Sequence, residues 1–424
     1  MMSTRVLADF AIHGLASLVL FPNPYSGRGT KVCWDIEEKH DFSLASRNGK
    51  ICWVGPADKF SDNIKLTSDA EVMNGNGLSG IPGFVDSHTH LVYAGDRSGE
   101  FELRVQGKKY LDILASGGGI LKTVSCIRSL SEDEIFFESR ERVWRMIETG
   151  VTTLEIKSGY GLDLENEMKM LRVIKRLGDE LPIRVVPTFM GAHAVPVEYK
   201  ERPDAFVKLI CENWIPKVAE SKLARFNDVF TENKAFNVDQ SRAILEAGRK
   251  NGLIPKIHAD EVNAIGGIDL AIEVGAISAD HLLKTTSDGI SKLVGSGVVP
   301  TLLPGTSTFL LETHHAPARA MIDAGLPVAI ASDFNPGSCQ FSSANLIQTL
   351  AMLQLKMSAA ETLMAATLHA AHALMLGNET GSIEIGKNMD IVLLEASSYK
   401  QIGYRAGENL VHAVISKGIP VFSI

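Results

Sequence analysis

The chain has 424 residues, 45% of them hydrophobic and 22% charged, which supplies a large apolar core and excludes a disordered chain. A net charge of −8 at pH 7 speaks against nonspecific binding to nucleic acid or to an anionic membrane surface. The five cysteines (Cys33, Cys52, Cys126, Cys211 and Cys339) are odd in number and lack CxxC spacing, so they read as reduced thiols of a cytoplasmic protein.

Taken in chain order, Met1–Arg5 leads soon to Asp9, and the apolar run Leu15–Phe21 is short and lacks a small-residue cleavage site. No secretory signal is expected. No apolar segment reaches the roughly 20 residues needed to cross a bilayer. Up to residue 79 β signals dominate. Leu15–Leu20 is an apolar run, and Asn48-Gly49, where both residues tolerate positive φ, is a hairpin turn ahead of Ile51–Val54. The far end reads alike, with strands expected at Ile391–Leu394, His412–Ile415 and Val421–Ile424. Neither end is large enough for a core of its own, so residues 1–79 and 378–424 are expected to pair into one small composite β-sandwich domain.

Between them, residues 80–377 alternate short apolar strands with helical stretches such as Glu132–Thr149 and Glu165–Leu177, the pattern of an α/β parallel sheet. Eight strands are expected to end near Asp86, Ile156, Phe189, Thr231, Ala259, His281, Leu303 and Asp333. That number favours a closed (β/α)8 TIM barrel over an open doubly wound sheet, and no GxGxxG follows the first strand. The insertion from Leu91 to about Leu130, with Gly117-Gly118-Gly119, is expected to loop over the barrel mouth.

Chemistry concentrates where those strands end. In Pro82-Gly83-Phe84-Val85-Asp86-Ser87-His88-Thr89-His90, residues two apart in a strand face one side, so His88 and His90 offer two imidazoles to one ion. Two surface histidines at a strand end would read the same way, and the HxH pair alone is weak. Its weight comes from the other groups. Of twelve histidines, His193, His258 and His281 also fall at or just after expected strand ends. Asp333 closes the apolar run Val328–Ser332, where a carboxylate needs a partner. In a barrel these ends converge on one rim. Imidazoles with one carboxylate suit Zn2+ or Fe better than Mg2+ or Ca2+. His13, His40 and His412 fall in the β-rich ends, His314 and His315 just after strand seven, and His369 and His372 in a helix over Ala359–Leu376, where packing or surface roles are expected.

These residues resemble the amidohydrolase superfamily. Within it, the chain is similar over essentially its whole length to the imidazolonepropionase family, through Tyr93-Ala94-Gly95-Asp96-Arg97, Glu155–Leu162, Phe189–Ala194, His258-Ala259-Asp260-Glu261 and Ser332–Ser338. The resemblance implies one Zn2+ or Fe per subunit, held by His88, His90, His258 and Asp333. It also implies substrate contacts from Arg97, Tyr160, His193, Glu261, Asn335, Gly337 and Ser338, and catalytic roles for Glu261, His281 and Asp333. The implied reaction is opening of 4-imidazolone-5-propanoate by water in histidine degradation. The implied protein is a homodimer in the cytoplasm whose partner is this small molecule, not a nucleic acid or a membrane. Which of Glu261, His281 or Asp333 takes the water proton stays open.

One stretch departs from the pattern. After strand four the chain reads Asn227-Asp228-Val229-Phe230-Thr231-Glu232-Asn233-Lys234, whereas binuclear superfamily members carry a bridging lysine at that strand end. Lys234 lies past it, which keeps the expectation at one metal. Two other readings remain: deamination of a purine- or pyrimidine-like ring by the same metal set, and a non-catalytic barrel scaffold.

Overall fold

A computed structural model describes residues 5–28, 30–108 and 118–424. Its two chain ends build two sheets. One runs Lys50–Pro56, Phe42–Arg47, Val6–Leu15, Ile64–Asn74; the other runs Ile419–Ser423, Val411–Ser416, Ile391–Leu394, Ser79–Pro82, Ser17–Leu20, Glu37–Lys39. Phe10, Ile12, Leu15, Leu44 and Ile51 from the first sheet share one apolar cluster with Leu18, Ile391, Leu393 and Ile415 from the second. Asn48 and Gly49 form the expected turn, with φ of 50° and 74° and Arg47 opposite Lys50. Ser79–Pro82 pairs with Ile391–Leu394 inside this second sheet, so the β-rich N-terminal stretch runs to Pro82 and not to residue 79.

The middle of the chain supplies eight parallel strands. In chain order they are Phe84–Asp86, Val151–Lys157, Arg184–Ala192, Phe226–Val229, the pair Ile254–Pro255 and Ile257–Ala259, then Ser278–His281, Val299–Leu302 and Ala329–Ile330. The fifth is broken at Lys256. Its first half pairs with strand four and its second with strand six, and a bridge between Phe230 and His258 continues the seam. The last strand returns to the first through a parallel bridge between Thr89 and Phe334, with Asp333 N–H donating to His88 O at 3.0 Å and His90 N–H to Phe334 O at 3.0 Å. That seam closes the ring. Strand four stops at Val229, two residues before the expected Thr231, and Asp333 lies three residues beyond the end of the last strand at Ile330.

The helices follow from their caps and stripes. Ser131 starts Glu132–Ile147 with a capping box to Glu134, and Asp163 caps Leu164–Glu180, whose Met170, Leu171, Ile174 and Leu177 are buried. The segment from Ala359 to His372 contains a π-helical turn at Ala365–His369. Its continuation brings Ala370, Ala371, Ala373, Leu374 and Leu376 against Val85, Val186, Phe226, Val299 and Ala329, from five different barrel strands, and so plugs the barrel from the end opposite the histidines. His369 is buried there as a packing group, its Nδ1 3.0 Å from Val328 O, and burial lowers its pKa to about 3.

The insertion after strand one is more than a loop. It forms helices at Ser98–Val105 and Ile120–Ser129; residues 109–117, which include Gly117 of the glycine run, lie outside the described residues. Arg104 ties it to the far side of the mouth, donating to Phe309 O at 3.4 Å and Gly337 O at 3.2 Å. Among the described residues no helix is long and apolar enough to cross a membrane.

Candidate metal centre and active site

The closure seam brings the HxH segment and Asp333 together, because the hydrogen bonds between residues 88–90 and 333–334 are the ones that close the barrel. Asp333 Oδ1 lies 3.6 Å from His88 Nε2 and 3.7 Å from His90 Nε2, and His258 Nε2 lies 3.4 Å from His90 Nε2. Donors about 2.1 Å from a tetrahedral ion stand roughly 3.4 Å from one another, so these spacings suit a single ion. His281 belongs to the same knot, in a group with His88 and His258 whose donor atoms lie within 4.8 Å of one another.

The donor set also fits a metal chemically. His88 Nε2 is buried without a hydrogen-bond partner. Burial holds His88 and His90 well below the usual histidine pKa, with neighbouring cationic groups adding to the effect, so both imidazoles stand neutral with a lone pair to give. Two carboxylates beneath fix ring orientation. Asp280 Oδ2 accepts from His88 Nδ1 at 2.7 Å, and Asp228 Oδ1 accepts from His258 Nδ1 at 3.1 Å. A hydrogen-bonded Nδ1 leaves Nε2 as the donor toward an ion. Burial works to lower the His258 pKa, but Asp228 outweighs it and the value rises.

Below these carboxylates lies a buried charge lattice that sequence reasoning did not anticipate. Lys157 Nζ donates to Glu155 Oε1 at 2.8 Å and forms an ion pair with Asp228 Oδ2, also at 2.8 Å. Lys256 Nζ donates to Ser278 Oγ at 2.6 Å and lies 3.5 Å from Asp280 Oδ2. All five charged groups are fully buried, which is tolerable only because each has an opposite partner. Asp228→Asn keeps the volume but weakens the grip on His258. We expect metal affinity to fall about 10- to 100-fold, read by competition with a chromophoric chelator; unchanged affinity would remove Asp228 from this supporting role.

Around the knot stand the other candidates. His193 stacks on His90 with ring centroids 4.7 Å apart, its Nδ1 is 3.2 Å from Gly159 O, and burial lowers its pKa to about 3. Tyr160 is buried, its ring 5.3 Å from His193 and 5.9 Å from His90, and burial raises its pKa with Asp333 adding to the rise. Glu261 Oε2 lies 3.5 Å from His281 Nε2. Burial, reinforced by the Asp333 carboxylate, raises Glu261 to about 8, so it keeps its proton at neutral pH. Burial likewise raises Asp333 to about 7, against a 2.6 Å hydrogen bond from Thr306 Oγ1 to its Oδ2. His281 and Asp333 take φ of 79° and 52°, left-handed conformations uncommon outside glycine and typical of strained sites.

Arg97 sits at the start of the insertion, its side chain only 10% exposed and paired through Nε and NH2 with Glu100 Oε2 at 3.0 and 2.9 Å. A Cβ built on Gly337 would fall 2.2 Å from Arg97 NH1, so any side chain there would push the guanidinium aside. Asn335 serves the loop itself. Its amide oxygen accepts from Gly337 N–H and Ser338 N–H at 2.8 and 2.7 Å, and its amide nitrogen donates to Asp333 O and Ser338 Oγ. Past Asp228, the end of the stretch that departs from the binuclear pattern gives no donor to the knot. Glu232 accepts from Val262 N–H and Asn263 N–H, and Lys234 is exposed.

Comparison with known proteins narrows this geometry. The amidohydrolase family profile matches residues 81–421. In overall structure the chain resembles an adenosine deaminase from Xanthomonas campestris with bound zinc, at a TM-score of 0.73, 18% identity, and coverage of 99% of this chain and 94% of that one. It resembles guanine deaminase of E. coli at the same TM-score of 0.73 with 14% identity, covering 97% and 99% of the two chains. Likeness at such identity speaks for the fold alone. In sequence the chain is 48% identical over 377 residues to an imidazolonepropionase of Geobacillus sp. (strain WCH70), covering 89% of each chain. It is 42% identical over 413 residues to one of Alkaliphilus metalliredigens (strain QYMF), covering 97% of this chain and 98% of that one. With that identity along nearly the whole length, the chain belongs to the imidazolonepropionase family of amidohydrolases.

Proposed function

We propose that this enzyme opens 4-imidazolone-5-propanoate with water to give N-formimino-L-glutamate, using one Zn2+ or Fe ion held by His88, His90, His258 and Asp333. The observation that carries the reading is the convergence of three imidazoles and one carboxyl group at 3.4–3.7 Å, with the family relationship behind it. A bound ion of this kind polarises a carbonyl and makes water nucleophilic near neutral pH.

The chain's own residues then divide the remaining work. Water adds to the ring carbonyl carbon, the C–N bond breaks, and the leaving nitrogen needs a proton. Glu261, protonated at neutral pH, donates it. His281, neutral because burial holds its pKa well down, hydrogen-bonds the developing oxyanion. With Glu261 and His281 in those roles, Asp333 takes the proton of the attacking water in this reading. Arg97 clamps the propanoate, since a planar guanidinium suits a carboxylate and Glu100 already fixes its plane. Tyr160 and His193 orient the ring, and Gly337 and Ser338 line the side under the tail. A homodimer in the cytoplasm belongs to the same proposal and rests on the resemblance alone.

Arg97→Ala should raise KM by roughly 10- to 100-fold while metal content stays at the parent level, as loss of a charge-assisted clamp implies. Gly337→Ala should move KM the same way by displacing the guanidinium. Unchanged KM in both variants would take the carboxylate from Arg97. Turnover measured side by side with imidazolone propanoate, guanine, adenine and cytosine separates ring opening from deamination. Activity confined to the imidazolone supports the reading, and release of ammonia from a nucleobase at comparable kcat/KM would replace it.

A further inference from the structure

The segment that carries Tyr160, Ser158–Leu162, is gripped from two sides by groups outside the chemistry above. On the inner side is Glu167, fully buried in the first turn of the helix Leu164–Glu180. Its carboxylate accepts the backbone N–H groups of Gly159 at 3.0 Å, Gly161 at 2.8 Å and Leu162 at 3.0 Å. On the other side is Arg128, near the end of the insertion helix Ile120–Ser129, donating to the carbonyls of Gly161 at 2.9 Å and Leu162 at 3.0 Å. Asp163 at 3.0 Å and Glu198 at 2.6 Å anchor its guanidinium.

The loop needs such a grip. Gly159 and Leu162 adopt φ of 113° and 51°, and a Cβ at Gly161 would lie 2.4 Å from the Glu167 backbone nitrogen. A short segment with two left-handed residues does not hold one conformation unaided. Three backbone N–H groups converging on the one Glu167 carboxyl group fix the loop at three points.

The grip reaches the other substrate-facing group as well. Arg97 is paired with Glu100, Glu100 also accepts the Gly119 N–H at 3.1 Å, and Gly119 opens the helix that ends near Arg128. One continuous run of contacts therefore joins the cation at one end of the insertion to the phenol at the other. We propose that Glu167 and Arg128 are positioning residues that set the Tyr160 hydroxyl against the substrate, with the helices Ser98–Val105 and Ile120–Ser129 as the splint that fixes its place relative to Arg97. The proposal rests on Tyr160 as a substrate contact.

The test is a set of double-mutant cycles. KM, kcat and metal content are measured for the parent, Tyr160→Phe, Arg128→Met, Glu167→Gln, and each of the latter two combined with Tyr160→Phe. Tyr160→Phe and Arg128→Met should each raise KM about tenfold, with kcat within about twofold and metal content unchanged. In the Tyr160→Phe background the Arg128→Met effect should shrink to less than about twofold, because its target has gone. The same tenfold rise in both backgrounds, or parental KM for Arg128→Met alone, would overturn the clamp while leaving Tyr160 a substrate contact. Parental KM for Tyr160→Phe would instead dispose of the Tyr160 reading and of the clamp with it. Arg128 is 28% exposed, so its variant carries the test even where Glu167→Gln fails to fold.

Discussion

His258→Ala is expected to yield folded protein with little bound metal and no measurable turnover. His258 lies where the fourth, fifth and sixth strands meet, and its Nε2 is 3.4 Å from His90 Nε2 while Asp228 secures its other nitrogen. Removing the ring takes one of the four proposed donors and leaves Asp228 with Lys157 and the Val229 N–H. A binding site reduced to three donors holds its ion far more weakly. Elemental analysis after gel filtration reads the effect directly. Stoichiometric metal in the variant would show that His258 is not a ligand, whatever happened to the rate.

Glu261→Gln is the second large effect, with a different signature. The amide fills the same space but cannot deliver a proton to the leaving nitrogen. Loss of a positioned general acid costs on the order of 10²–10⁴ in rate. Because Glu261 lies 3.5 Å from His281 and outside the four proposed metal ligands, metal content and KM should stay near parental values. The burial that raises Glu261 to about 8 is what makes it an acid at neutral pH, whereas a solvated glutamate would be ionised. A kcat within a few fold of the parent would assign the proton to another group, His281 being the nearest.

The sequence made much of this legible because strand period and strand ends are local properties. Two histidines two apart after Phe84-Val85-Asp86 share a side in any extended segment, and Asp333 after an apolar run demanded a partner. Barrel closure then turns separate strand ends into one cluster, which follows from counting eight strands. What escaped was the layer beneath. Asp280 precedes His281 in an expected strand that assigns it no role, and Asp228 stood in a stretch noted only for lacking a bridging lysine. Lys157 and Lys256 interrupt hydrophobic strands without any local sign of what they meet. Their partners come from other strands, and no periodicity within one strand reveals them. A charged residue inside a buried strand was the available signal, since burial without a partner is costly.

The insertion was hard to read for a related reason. Its glycines suggested a loop, but Arg97, Glu100 and Arg104 make it a braced element through contacts with Gly119, Phe309 and Gly337. Ser79–Pro82 lies past the expected end of the first β-rich stretch, and only its pairing with Ile391–Leu394 shows that it joins the second sheet.

The most direct measurement of the central claim is turnover of freshly prepared imidazolone propanoate by purified protein, before and after exhaustive treatment with a strong chelator. Formimino-glutamate should appear at a rate that falls to background on chelation and returns when about one equivalent of Zn2+ or Fe2+ per subunit is restored. Undiminished turnover in protein proven metal-free would contradict the account at its root.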